Sequence, residues 1–314
     1  MRAQVIAMAA HVGRGAIDRA GETVPSPTLG DTAENASGGS ESREKFVPLF
    51  ERPEVQEWVR GALGRLMPAL IGFALLIGVW SAVASTTDYL PGPQKTWASA
   101  FELFQDPFYQ KGPNDQGIGW NIYNSLKRVG VGFGLAVLVG IPLGFLLGRF
   151  AVLNRAFSPI ISLLRPVSPL AWLPIGLAVF QAANPAAVFT IFICSIWPMV
   201  INTAVGVASV PQDYLNVARV LQLSEWKVFT RILLPATVPF VLTGAKLALG
   251  IAWLVIVASE MLTGGTGIGF WVWDEWNNLN MEHIIIAIFV IGSIGLLLEA
   301  GMSRLAARFD YRGR

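Results

Sequence analysis

Charge is what this sequence has least of. Only 14% of its 314 residues are charged, against 53% that are hydrophobic, whereas a soluble domain carries about 25% charged residues. The mean hydropathy of +0.53 points the same way and argues against a soluble enzyme. A single cysteine, Cys194, excludes an internal disulfide and any cysteine-rich metal site. Two histidines, His11 and His283, leave little for metal binding or histidine-based catalysis. No carboxylate pair, nucleophile–base set or metal-ligand cluster emerges from the pattern. The sequence also lacks a Gly-x-x-x-x-Gly-Lys-Ser/Thr loop, so it has no phosphate cradle of its own. The expectation is a chain with no catalytic residues, no cofactor and no metal.

What it has instead is long apolar runs, with 11 Trp and 18 Phe of the kind that sit at membrane interfaces. A spanning helix needs about 20 mostly apolar residues. The stretches 66–86, 129–148, 186–208, 238–262 and 283–303 meet that standard. A sixth, 159–181, is interrupted by Arg165, Pro166, Pro169 and Pro174, and prolines are tolerated where neighbouring helices satisfy the freed backbone. The expected class is therefore an all-α membrane protein of about six spans. Residues 46–314 form the membrane domain, and residues 1–45, rich in Ala, Gly, Ser, Thr and Pro, form a disordered tail. Arg149, Arg155, Arg219, Lys227, Arg231, Arg304 and Arg308 fall on the side shared by both chain ends. The positive-inside rule then puts both termini in the cytoplasm.

Three patterns within this frame carry chemistry. Gly132, Ala136, Gly140, Gly144 and Gly148 recur every fourth residue, which lines one helix face with small side chains and lets another helix approach closely. Residues 211–235 are amphipathic, with Leu215, Ala218 and Leu221 at helical spacing. Asp213 and Ser224 are placed to cap two short helices there. This pair either lies in the lipid interface or docks on a soluble partner. Finally, Lys246, Trp253 and Glu260 share one face of the fifth span, yet Lys246 and Glu260 stand about 21 Å apart along the axis and cannot pair with each other. Each faces a translocation path, or is satisfied near the interface or within the bundle. The same two readings are open for Arg165, Trp172, Ser195 and Asn202.

Several motifs resemble one family. ABC-importer permeases carry the signature Glu-Ala-Ala, three residues, Gly, nine residues, Ile-x-Leu-Pro. Here Asn216-Val217-Ala218 stands at the triplet, Gln222 at the glycine, and Ile232-Leu233-Leu234-Pro235 closes the motif. Leu164-Arg165-Pro166-x-x-Pro169-Leu-Ala-Trp172 and Leu90-Pro91-Gly92-Pro93 resemble the sulfonate, taurine and nitrate permeases. Pro235-Ala-Thr-Val-Pro239, Ser259-Glu260-Met261-Leu262 and Gly267-Ile268-Gly269-Phe270 are most similar to the nitrate, bicarbonate and cyanate branch, where the signature is similarly eroded.

This resemblance implies the type I ABC-importer permease fold, in a multi-pass subunit of the bacterial inner membrane. It implies a second copy of the chain, two cytoplasmic ABC ATPases that hold ATP and Mg, and an external solute-binding protein or lipoprotein. Residues 212–232 would be coupling helices, with Asn216, Ala218, Arg219, Leu221, Gln222, Leu223, Ser224 and Trp226 at the ATPase. The cargo it implies is a small inorganic anion, nitrate with nitrite first, then bicarbonate, cyanate, and taurine or other sulfonates. A different class, a channel or ion-coupled transporter working without ATPases, predicts a sequence repeat and buried carboxylates along the path. The sequence offers only Glu260 as a deep carboxylate.

Overall fold

A computed structural model describes residues 53–87 and 89–309. The tail expected over residues 1–45 lies outside them. Eleven α-helices follow one another: α1 (Pro53–Ala84), α2 (Pro93–Leu103), α3 (Ile118–Arg149), α4 (Ala151–Leu164), α5 (Pro169–Phe180), α6 (Ala183–Ala208), α7 (Gln212–Val220), α8 (Glu225–Val228), α9 (Leu234–Thr263), α10 (Ile268–Asn277) and α11 (Met281–Arg308). A π-helical turn at Phe229–Leu233 joins α8 to α9. The chain divides into a unit Met1–Gly64 and a unit Arg65–Arg314.

Five helices are long and apolar enough to cross a membrane, and six crossings result if α4 and α5 count together as one broken span. That pair, Ala151–Leu164 and Pro169–Phe180, lies where the proline-interrupted stretch 159–181 was expected. The two helices meet at 99°. Pro166 lacks an N–H and its ring clashes with the carbonyl one turn back, which stops α4. Pro169 at the first position and Ser168, whose hydroxyl accepts from Leu170 N, then start α5 in a new direction.

The scaffold is α3, α6 and α9. Lipid tails are as apolar as leucine, so helices in a membrane associate through close contact rather than by escaping water. The small-residue face of α3 provides that contact. A Cβ placed on Gly140 would lie 2.7 Å from Met199 Cβ, and one on Gly144 would lie 2.5 Å from Thr203 Cβ. α9 packs on an adjoining face of α6, with Phe240 against Gly206 and Asn202 against Gly244, and Met199 is buried among all three helices.

The two ends of this scaffold are filled differently. At one end, Ile118, Ala187, Ile191, Trp253, Ile256, Ile268, Trp271 and Ala287 gather α3, α6, α9, α10 and α11 into one apolar cluster. At the other, Phe145, Val207, Leu215, Ala218, Val228 and Leu233 hold α7, α8 and the π turn against the ends of α3 and α6. Over Met67–Ala84, α1 buries none of its residues in this chain. Trp80 helps tie it down, donating to Pro91 O at 3.1 Å and touching the Phe289 ring at 6.0 Å.

Substitution should separate the seam from the rest of α3. Gly144→Ala forces α3 and α6 apart and should cost about 1–3 kcal/mol, lowering the thermal unfolding midpoint of the purified chain. Gly130→Ala, on an open face of the same helix, should leave the midpoint unchanged or slightly raised.

Candidate functional site

Residues 212–233 form a compact docking element. Leu215 and Ala218 turn inward, while Val220, Leu221 and Trp226 stand 83%, 64% and 71% exposed. α7 ends in a Schellman turn: Leu223 N donates to Ala218 O and Gln222 N to Arg219 O, each at 3.0 Å. The turn needs a left-handed residue, and Gln222 takes it with φ 50°. A side chain there costs about 1–2 kcal/mol relative to glycine. The capping expectation is corrected at Asp213, because Pro211 holds the N-cap of α7 and Asp213 lies in its first turn. Ser224 does occupy the N-cap of α8, without a side-chain hydrogen bond.

Trp226 stacks on Phe229 at 5.7 Å, and Phe229 meets Phe145 of α3 edge-on at 5.0 Å. An aromatic chain thus links the exposed surface to the scaffold. Arg149 reaches Glu225 at 3.4 Å on the exposed surface, where such a pair contributes little. Asn216 and Arg219 lie on the exposed side of α7.

The opposite end is organised by Glu260, which is only 1% exposed. Its carboxylate accepts from the Ser125 hydroxyl at 2.7 Å, from Gly269 N at 3.0 Å, and from the Arg128 guanidinium in a direct ion pair. Ser125 Oγ accepts in turn from Ile268 N, and Asn121 Oδ1 from Gly267 N, both at 2.9 Å. Arg128 continues outward to Asn184 Oδ1 at 2.8 Å and to Thr266 O. The loop 264–267 is therefore wrapped around the carboxylate. Gly267 has φ 134°, and a Cβ there would collide with Glu260 itself, so only glycine fits. Gly264, Gly265 and Gly267, all with positive φ, form a turn here.

The remaining candidate residues are distributed through the bundle. Lys246 pairs with Glu299 of α11 at 3.0 Å, both half-exposed. Trp253 donates to Ile291 O at 3.0 Å. Asn202 donates to Pro198 O one turn back at 2.8 Å. Ser195 and Trp172 keep a buried hydroxyl and a buried indole N–H without a hydrogen-bond partner. Arg165 is exposed at the end of α4, over a cavity of about 310 Å³ against α6. The seven residues do not converge on one site. Lys246 and Glu260 each found a separate partner within the bundle.

Asn121, Ser125, Arg128 and Asn184 were not singled out by the sequence. Hydropathy starts the second span at Val129, which leaves Arg128 in a loop, whereas α3 begins at Ile118. The signal was the unpaired Glu260, since a buried carboxylate demands a cation. His283 stacks on Trp271 at 5.6 Å and meets Glu275 at 3.0 Å. Among the described residues no group of His, Cys, Asp or Glu could hold a metal ion.

A helical scaffold with an exposed short-helix pair at one end defines a membrane transport subunit. Residues 140–312 match the family described as the binding-protein-dependent transport system inner membrane component. The chain belongs to that family, whose members reside in the inner membrane. It is 49% identical over 244 residues to the nitrate import permease protein NrtB of Leptolyngbya laminosa, covering 78% of this chain and 88% of that one. It is 42% identical over 255 residues to the bicarbonate transport system permease protein CmpB of a Synechocystis strain, covering 80% and 91%. The fold is similar to that of the inward-facing MetNI methionine ABC transporter, with TM-score 0.53 and 16% identity over 60% of this chain and 94% of that one. That likeness bears the type I ABC-importer permease fold.

Removing one partner of the ion pair leaves the other charged and buried. Arg128→Ala should therefore cost about 3–5 kcal/mol, read as a fall in the thermal midpoint. Arg128→Met combined with Glu260→Gln should recover most of the loss. A double variant no more stable than Arg128→Ala would show that the pair does not dominate this end.

Proposed function

We infer that the chain is the permease subunit of an ATP-driven importer for nitrate, with nitrite as a companion cargo. Its identity to nitrate import permeases carries this reading: 49% in one relative and 48% over 230 residues in another, from Synechocystis. Bicarbonate is the second reading, supported by the 42% identical relative. Both are small monovalent oxyanions, so a pathway suited to one is chemically close to suiting the other. No residue of the bundle decides between them.

The mechanism follows from where the exposed apolar surface lies. With six crossings the two ends of the chain share a side, and the basic residues put that side, with α7 and α8, in the cytoplasm. Val220, Leu221 and Trp226 offer an apolar anchor to a groove on each of two ATPase subunits. Closure of the ATPases around ATP and Mg would pull α7 and α8, and the Trp226–Phe229–Phe145 contacts would carry that motion into α3. Two copies of the chain would enclose the path, and an external binding protein or lipoprotein would deliver the anion. Arg165, Trp172, Ser195, Asn202, Lys246, Trp253 and Glu260 remain our candidates for groups bordering that path. Asn216, Ala218, Arg219, Gln222, Leu223 and Ser224 would frame the docking anchor.

The test is uptake of isotopically labelled nitrate in cells with the gene deleted and then restored, with unlabelled bicarbonate and cyanate as competitors. Loss on deletion and rescue on restoration, without competition, is expected. Rescue of bicarbonate uptake alone would move the cargo to the second reading. For the docking element, Leu221→Asp with Trp226→Asp should abolish co-purification of an ATPase while leaving the thermal midpoint of the permease unchanged. An ATPase retained by the double variant would overturn the docking assignment.

A further inference from the structure

A cavity of about 390 Å³ opens between the first turns of α3, the start of α6 and the loop 264–267. Its polar lining is made of donors. Lys127 is exposed and has no ion pair, and Asn124 has no hydrogen bond, among the described residues. Asn184 uses its oxygen to accept from Arg128 Nε, which leaves its NH₂ to donate. The Thr266 hydroxyl accepts from Arg128 at 3.3 Å and keeps its own proton to give. A guanidinium has five N–H groups, and four of those on Arg128 are engaged by Asn184, Glu260 and Thr266. The fifth remains.

No carboxylate lines the cavity, because Glu260 sits behind Arg128. Glu260 thus cancels the charge of Arg128 and fixes its direction. Lys127 is left as the net charge of the cavity.

We propose that this cavity is a binding site for one small monovalent oxyanion at the end of the bundle opposite the docking helices. Lys127 supplies the attraction, and Asn124, Asn184, Thr266 and Arg128 supply donors to the oxygens. One net charge with neutral amides gives a loose site that fills and empties, as a transport station requires. The chemistry would suit a free anion or the phosphate of a lipid headgroup, and a site with one net charge fits the free anion. The proposal rests on the importer reading above, which fixes nitrate as the probe.

The assembled full-length transporter is tested in phosphatidylcholine nanodiscs. Cys194, buried in α6, is replaced by Ala, and Val131→Cys places a thiol on the cavity wall. Val188→Cys on the opposite wall is a second reporter should the first fail to assemble. Reaction with a negatively charged methanethiosulfonate is timed in nitrate or in isethionate at equal ionic strength. Nitrate at roughly ten times its dissociation constant should slow the reaction about tenfold by mass action. Lys127→Gln should abolish the protection and Lys127→Arg should restore it.

A rate indifferent to nitrate overturns the site, as does equal protection in Lys127→Gln. A rate that follows phosphatidylglycerol content rather than nitrate overturns the free-anion assignment. Labelled nitrate uptake by the same transporter is scored separately. Protection without uptake upholds the site and sinks the nitrate reading, while uptake without protection does the reverse.

Discussion

A carboxylate buried in an apolar bundle constrains everything around it. Glu260 is sealed at one end of α9, and leaving it unpaired there would be prohibitive. The neighbouring structure follows from satisfying it. α3 must extend through its polar first turns so that Asn121, Ser125 and Arg128 arrive on the facing side. The loop after α9 must turn back so that Gly269 N reaches the carboxylate. Gly267 must lack a side chain, because the carboxylate occupies the space a Cβ would need. Each of these in turn fixes where α10 begins, and so where Trp271 enters the core.

The contrast with the other end is physical rather than decorative. One end is locked by a buried ion pair that Ser125, Gly269, Asn184 and Thr266 hold by further hydrogen bonds. The other end is held by aromatic and aliphatic contacts, which slide at lower cost than charges separate. Close small-residue packing of α3 on α6 makes the middle stiff. A displacement applied to α7 and α8 would therefore pass along α3 as a nearly rigid body instead of dissipating. The π turn at Phe229–Leu233 sits where such a motion enters α9, a geometry that often marks functional positions in helices.

The sequence made the apolar middles of the helices legible and left their ends obscure. The hydropathy stretches fall close to α6, α9 and α11 because spans are long and lipid is uniform, whereas α1 starts at Pro53 rather than near residue 66. Hydropathy misplaced the start of α3 because a hydropathy window stops at polar residues, whereas a helix does not. The prolines at 166, 169 and 174 were visible, but a 99° bend is a matter of which backbone groups neighbours satisfy. Gln222 stands at the glycine of the signature that the sequence resembles, and it takes the left-handed conformation that glycine favours. That Lys246 and Glu260 could not pair with each other was also readable. That Glu299 and Arg128 would meet them was not, because both lie far along the chain on other helices.

Charge neutralisation bears on how an anion could pass. Two cations that sequence or position would nominate as attractors, Lys246 and Arg128, are both paired with carboxylates. A bare cation deep in the bundle would hold an anion too tightly to release it, and would be costly to keep there without one. A cation held by a carboxylate keeps its N–H donors but loses most of its long-range pull. Transport needs binding that is favourable enough to enter and weak enough to leave. Relatives 49% and 42% identical to this chain carry the names of different anions, as fits a scaffold whose paired cations are committed to neither.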